Sequence, residues 1–407
     1  MEHDLGPSWP LMQQAIEAPQ PVSIRLNSKA VRPWNDNERV AWCDDGRYLA
    51  QRPQFTLEPM LHAGAYYVQE ASSMFLHQVA TQLLHPSDIV LDLCAAPGGK
   101  STLLSSFLTE GLLLANELIR SRAQILAENI IKWGHGNTLV SSNTPAEVGH
   151  LTHLFDAMLV DAPCSGEGMF RKDPTAISEW SPDAVIRCAE RQRQILTDAW
   201  DALRPGGILI YSTCTYNHTE NEDIVTWICQ HLGADYVGLR LDPAWRLADT
   251  GLGYHFYPHL QRGEGLYMAC LRKHDAPRRT LRLAPTKPSA KNDVAQLATW
   301  LTTADDLTLR VSDTDAYAVP RRHADLVATL SSRLHCLVCG TEVAQKKGRQ
   351  YTPAHALAVS CHINQDAFSA IDITLQQALD FLHCEAIHLC DAPLGQLLLC
   401  YDGMPLG

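Results

Sequence analysis

The feature that most restricts the fold of this chain is a run of alternating strand and helix patterns between residues 89 and 232. Short apolar stretches predict strands at Ile89–Cys94, Leu112–Glu117, Thr138–Ser142, Ala157–Asp161 and Ile208–Ser212. Helical spacing fills the intervals at Gly99–Leu108, Ile119–Trp133 and Ser181–Leu203, the last stopped by Arg204-Pro205-Gly206-Gly207, and returns at Asn221–Leu232. Successive strands joined through helices run parallel, because the crossover carries the chain back to its starting edge. Repetition of that unit predicts an α/β fold, a Rossmann-like parallel sheet covered on both faces.

The flanking regions lack this rhythm. Pro21–Asn27 alternates in polarity like a strand, and Gln69–Leu84 has helical spacing. Asp275–Asn292, rich in Pro, Arg and Lys, reads as a linker. Residues 293–407 show short strand and helix signals in no fixed order, which predicts a separate small α+β domain. The chain therefore divides into an N-terminal extension (1–66), the sheet domain (67–274), the linker (275–292) and the C-terminal domain (293–407).

Composition narrows the class. At 46% hydrophobic and 19% charged residues, the 407-residue chain can bury cores and is not intrinsically disordered. No apolar run approaches the ~20 residues that span a bilayer. The start, Met1-Glu2-His3-Asp4, lacks the basic-then-apolar layout of a signal peptide, so a cytoplasmic, reduced environment is expected for the 13 cysteines. Net charge is -12, with 21 basic and 31 acidic residues in 1–274 against 12 and 14 in 275–407. Binding to nucleic acid would need local basic patches rather than a global field.

The first strand runs into Cys94-Ala95-Ala96-Pro97-Gly98-Gly99-Lys100-Ser101. A glycine pair between strand and helix lets backbone approach a ligand at a helix N-terminus. A phosphate-binding P-loop would need Gly where Cys94 stands, and the dinucleotide G-x-G-x-x-G is absent. A methyl-donor site, passing a nucleoside with an amino-acid tail, satisfies the loop. Glu117, ending the second strand, is spaced to accept ribose hydroxyls, and Asn143, ending the third, to meet an adenine edge. Each also reads as an ordinary strand-end or turn residue.

Two cysteines follow neighbouring strands: Cys164 in Asp161-Ala162-Pro163-Cys164-Ser165-Gly166-Glu167-Gly168, and Cys214 in Ser212-Thr213-Cys214-Thr215. Ligands of open α/β sheets lie at the carboxyl ends of strands, which places both thiols at one crevice. Carbon 5 of a pyrimidine becomes nucleophilic once a thiolate adds at carbon 6. The thiol needs a lowered pKa, and an acid near ring nitrogen 3, a role open to Asp161, supports the developing charge. A second thiol can assist release. Spacing leaves open which cysteine attacks.

These motifs, with Tyr67-Val68-Gln69-Glu70-Ala71-Ser72-Ser73-Met74 and Arg171-Lys172-Asp173-Pro174, resemble the Nop/Sun-type RNA cytosine-C5 methyltransferases from about Pro21 to Lys273. The likeness is greatest to bacterial enzymes of the ribosomal small subunit, in which a similar C-terminal domain follows. The resemblance implies S-adenosylmethionine as cofactor, Cys214 as nucleophile and Cys164 as the residue assisting release. By position it assigns cofactor contacts to Cys94, Ala95, Ala96, Pro97, Gly98, Gly99, Lys100, Glu117, Asn143 and Asp161. Some relatives carry Asp at the position of Asn143. The implied partner is RNA, as 16S ribosomal RNA or the 30S particle, with no membrane and a monomeric enzyme. The same chemistry on tRNA, or a non-catalytic assembly factor, are the alternatives.

RNA contacts are expected from Arg171 and Lys172, since enzymes that modify a base contact the flanking phosphates with Lys and Arg, and the resemblance of the strand around Arg25 to the family's N-terminal segment implies a contact there too. The C-terminal domain resembles a PUA-like RNA-binding module, with Gln345–Tyr351 as a basic-aromatic contact or an ordinary surface hairpin. Cys336-Leu337-Val338-Cys339 has CxxC spacing in an apolar run and reads as core, so no metal site is expected.

Overall fold

The computed structural model describes residues 5–30, 37–277, 279, 281–286, 288–348, 350–389 and 392–407. Four strands, β1 (Val22–Leu26), β2 (Arg39–Val40), β3 (Cys43–Leu49) and β4 (Tyr66–Val68), form an N-terminal sheet in the order β2-β3-β1-β4. The predicted helix over Gln69–Leu84 shortens to a 3-10 turn at Ser72–Phe75 followed by α1 (Leu76–Leu83).

The alternating region folds as expected: β5 (Ile89–Asp92), α2 (Gly99–Phe107), β6 (Leu112–Asn116), α3 (Arg120–Trp133), β7 (Thr138–Ser141), β8 (Phe155–Asp161), α4 (Pro182–Ala199), β9 (Leu203–Thr213) and α5 (Glu222–His231). Strands β9-β8-β5-β6-β7 are parallel. Side chains alternate between the two faces with the strand period of two. On β9, Ile208 and Ile210 join the cluster that holds Phe75, Leu104 and Leu126, whereas Leu209 and Tyr211 join the one that holds Leu196 and Trp200. Each fully buried aliphatic side chain contributes about 2 kcal/mol, so a one-residue slip of β9 would cost several times that.

Three findings differ from the sequence reading. First, Arg204-Pro205-Gly206-Gly207 does not end a helix; α4 stops at Ala199, and the motif is a register shift inside β9, with Gly206 at φ +71°. Second, the sheet is mixed. After β10 (Ala234–Tyr236), β11 (Ala248–Asp249) and β12 (Tyr254–Phe256), strand β13 (Leu266–Lys273) pairs antiparallel with β9.

Third, the C-terminal residues join the sheet. Beyond β14 (Leu307–Val311) and β15 (Asp315–Pro320), strand β16 (Cys336–Cys339) pairs antiparallel with β7 and closes that edge of the ten-stranded sheet. The connection between β7 and β8 holds only a five-residue helix, Pro145–Gly149, too short to cover this end of the sheet. Helix Ala324–Arg333 supplies the cover: Leu326, Val327 and Leu330 enter the same buried cluster as Leu112, Leu114 and Leu139. The expected boundary at residue 293 therefore does not separate the C-terminal residues from the sheet's core. The rest of this region forms β17 (Thr341–Lys347) and β18 (Gln350–Pro353), then a three-stranded sheet ending the chain.

Candidate active site

Strand order β7-β6-β5-β8-β9 reverses direction between β5 and β8, the switch point at which open α/β sheets hold ligands. A cleft of about 390 Å3 opens there. Its lining includes Cys94, Ala95, Ala96, Pro97, Gly99 and Lys100 from the loop after β5, Asp161 at the end of β8, and Cys214 just beyond β9.

The loop after β5 is held from outside. Gly98 has φ +115° and caps α2, a conformation that an L side chain rarely adopts. Asn129 on α3 donates to the Pro97 carbonyl at 2.8 Å, and Arg122 donates to that of Ala96 at 3.0 Å. Neither clamp was apparent from motif spacing, because both act across a helix packed against the loop. Asp92 is also a new member of the site. It is fully buried, accepts from Ser101 Oγ at 2.6 Å, and its other oxygen has no partner. Burial pushes its carboxyl up to about 7.

Lys100 Nζ lies 2.8 Å from Asp161 Oδ2, and Ser212 Oγ donates to Asp161 Oδ1 at 2.7 Å. Burial works against the Lys100 charge, but the Asp161 carboxylate outweighs it and the lysine is held above its ordinary value. The two sulfurs, Cys164 Sγ and Cys214 Sγ, lie 3.3 Å apart. The Cys164 hydrogen bond holds Cys214 below the usual thiol range, with the Lys100 charge adding to it against burial and Asp161. Cys164 is raised by the same contact and by burial. Only Cys214 of the two lines the cleft. Burial also raises Cys94, which is therefore a neutral wall rather than a nucleophile.

The two cysteine loops are fastened by buried carboxylates that local patterns do not reveal. Glu220 accepts from the Ser165 amide and hydroxyl, from Gln192 and from Asn217. Glu167 accepts from Thr215 Oγ1 and from the amides of Tyr216 and Asn217. Gly168 donates to the Cys214 carbonyl at 2.7 Å, and a Cβ there would stand 2.7 Å from that oxygen. These contacts set the sulfur–sulfur distance.

Other expected residues sit differently. Glu117 follows the last residue of β6, buried, with Oε1 accepting the Ile119 amide and Oε2 3.5 Å from Arg122. It stands at the same edge but does not line the cleft. Asn143 is spent on structure: its amide donates to Glu147 at 3.3 Å and its carbonyl accepts the His335 amide at 3.0 Å. The chain leading into β16 thus covers the group expected to meet adenine.

Arg25 is not an exposed RNA contact. It is 2% exposed, donates to Gln69 Oε1 and Thr102 Oγ1 at 2.7 and 2.6 Å, and stacks 4.4 Å above the Trp133 ring. Burial lowers its guanidinium to about 10, still charged at neutral pH. Arg25→Ala is expected to cost about 3 kcal/mol, visible as a lower denaturation midpoint, because it leaves buried acceptors and a cavity against α2. A change confined to RNA affinity, with stability intact, would contradict this role. Arg171 likewise clasps the carbonyls of Ala18 and Pro19 at 2.9 and 2.7 Å. Lys172 is exposed and does line the cleft.

In the C-terminal hairpin, Lys346 lies over the Tyr351 ring and pairs with Asp293 at 3.3 Å; Arg349 of the same motif lies outside the described residues. Among the described residues, no group of three or more His, Cys, Asp or Glu side chains could hold a metal ion. None of their helices is long and apolar enough to cross a membrane.

A lowered thiol pKa has a direct kinetic signature. The thiolate fraction rises with pH through the Cys214 pKa, so the acid limb of kcat should lie below the ordinary thiol value of about 8.5. Lys100→Met removes the adjacent positive charge and should move that limb upward by roughly one unit. A limb that stays in place would show that Lys100 does not tune the thiol.

Residues 80–272 match the family described as 16S rRNA methyltransferase RsmB/F, and residues 1–71 match the N-terminal domain of 16S rRNA methyltransferase RsmF. Ribosomal RNA small subunit methyltransferase F of Aliivibrio fischeri strain MJ11 is 31% identical, over 97% of this chain and 89% of its own length. The protein of that name from Shewanella oneidensis is 33% identical, over 91% and 81%. Among solved structures, a methyltransferase homolog from Pyrococcus horikoshii is 27% identical, with a TM-score of 0.57 over 66% of this chain and 91% of that one. NSun6 from Pyrococcus horikoshii, crystallised with SFG, shares the fold at 20% identity and a TM-score of 0.55, over 65% and 94% of the two chains.

Proposed function

This chain belongs to the RsmB/F family of 16S rRNA methyltransferases, and on that footing we propose that it methylates carbon 5 of a cytosine in 16S ribosomal RNA through a covalent bond from Cys214. The observation that carries the proposal is the pair of thiols 3.3 Å apart, with the lower-pKa member in the cleft beside Lys100 and Asp161.

S-adenosylmethionine is the cofactor, and the cleft suits it. The loop from Cys94 to Lys100 offers backbone and small apolar walls, its turn requires Gly98, and Asp92 keeps one buried oxygen without a partner. Residues 94–100 and Asp161 would hold it, with Glu117 at the neighbouring strand end. When bound, it supplies an electrophilic methyl group.

The side chains then divide the work. The Cys214 thiolate adds to carbon 6 of the cytosine, and the electron pair of the 5,6 double bond is displaced toward the ring nitrogen. Asp161 takes a proton from the Lys100 ammonium hydrogen-bonded to it and passes it to nitrogen 3, which keeps the ring from collapsing back. The enamine so formed makes carbon 5 the attacking atom. Once carbon 5 has gained its methyl group, nitrogen 3 returns its proton to Asp161, solvent water takes the proton from carbon 5, and the 5,6 double bond re-forms as the carbon–sulfur bond breaks and Cys214 leaves as thiolate. Cys164, held protonated, donates its hydrogen bond to the departing Cys214 sulfur. Lys172, at the mouth, offers a phosphate contact. Ribosomal RNA as substrate gives the enzyme a cytoplasmic place of work.

The test is transfer of label from methyl-labelled S-adenosylmethionine to 16S rRNA and 30S particles from a strain deleted for this gene, followed by bisulfite mapping. One cytosine should become resistant to conversion. Label on tRNA alone, on another atom, or on neither RNA would refute the assignment.

A further inference from the structure

Beside the active-site cleft lies a second groove, of about 540 Å3, that the chemistry above does not use. Its walls come from the segment before β1, the turn after β3 and the stretch from Pro258 to Arg262. Three arginines (Arg52, Arg171 and Arg262) and His259 line it, with Gln20 and Gln51 between them, and no lining residue is acidic. In a chain of net charge -12, an acid-free groove with three arginines is the local basic patch that nucleic-acid binding requires.

The state of each arginine sharpens the point. Arg52 is exposed, lies 5.3 Å from the Phe55 ring centroid, and has no carboxylate partner among the described residues. Arg262 is exposed, rests 4.3 Å above the Tyr48 ring and pairs with the exposed Glu38, a contact that water and salt weaken. Arg171 holds the floor through backbone carbonyls, its charge paired with the buried Glu264 at 3.8 Å, which leaves Arg52 and Arg262 as the exposed cations of the groove. The larger cavity between the sheet and the C-terminal residues, about 880 Å3, differs: there Asp305 and Asp306 face Arg321 and Arg322, so no single sign prevails.

Neighbouring positions of the chain line the groove and the cleft. Arg171 lines the groove and the adjacent Lys172 lines the cleft; Arg262 lines the groove, and Glu264 and Gly265 line the cleft. We propose that this groove holds the phosphodiester backbone of the RNA strand flanking the target nucleotide, with Arg52 and Arg262 on the phosphates. The inference rests on the reading of the chain as an RNA methyltransferase.

The experiment uses the full-length protein, its S-adenosylmethionine affinity, and transfer to both a 16S rRNA transcript and purified 30S particles. Arg52→Ala with Arg262→Ala should raise the RNA KM more than tenfold, with S-adenosylmethionine affinity unchanged. The slope of log KM against log salt should flatten by about 1.4, or 0.7 for each lost phosphate contact on a single strand. Arg52→Lys, which keeps the charge, should stay near the parent and guards against loss of folding as the cause. Unchanged KM and salt slope in the double variant would overturn the groove while leaving the activity standing. Normal transfer to naked transcript with failure on 30S particles would assign the groove to a protein of the particle and overturn it too. Absence of transfer by the parent protein to either RNA would instead refute the activity itself.

Discussion

Cys214→Ala should abolish methyl transfer, lowering kcat by ~10^4-fold or more, as expected when the nucleophile proposed to activate the base is removed. Two features support so large an effect. Of the two paired thiols Cys214 is the one that lines the cleft, and it is the one whose pKa its neighbours depress. Its sulfur is not used to hold the loop: the Cys214 carbonyl accepts from Gly168, and Thr213 and Thr215 are tied to Asn221 and Glu167. The alanine variant should therefore keep its fold and its S-adenosylmethionine affinity, measured by calorimetry and thermal denaturation. Turnover within tenfold of the parent would show that another group attacks.

Cys164→Ala should have the opposite phenotype, a covalent protein–RNA species that survives denaturing electrophoresis. Attack on carbon 6 remains possible without Cys164, but the departing sulfur loses the donor 3.3 Å away. Release should slow by about 100-fold, in the range attributed to a positioned acid. The pH dependence has a definite sign. Loss of that donor raises the Cys214 pKa, so adduct formation in the variant should be slower near neutrality and recover as pH rises. Combining it with Cys214→Ala should remove the adduct. A Cys164→Ala enzyme that retains full activity without any shifted band would exclude the release role.

Much of this site is legible in local sequence because its chemistry is carried by strand ends. Once strands near residues 89, 112, 138, 157 and 208 are recognised, parallel order places Lys100, Asp161, Cys164 and Cys214 at one edge. The carboxylates that hold the loops are not legible this way. Glu220 reaches Ser165 across 55 positions, and nothing in a Ser–Glu pair so far apart announces a hydrogen bond. Arg25 shows the converse error. The resemblance offers it to RNA, yet its guanidinium is buried against the Trp133 ring and Thr102, the latter 77 positions away.

Periodicity, glycine placement and residue chemistry, all properties of neighbouring positions, determined the α/β class, the cofactor loop and both thiols. They act locally, where burial of alternate side chains and the φ demanded at Gly98 leave few options. Which thiol faces the cleft, how Lys100 meets Asp161, and why Asn143 turns toward His335 are decided only by tertiary packing. The C-terminal residues are the clearest case. Read alone they form a separate unit; folded, they cover a sheet face that the five-residue helix after β7 leaves bare, because that apolar surface is costly to expose to water.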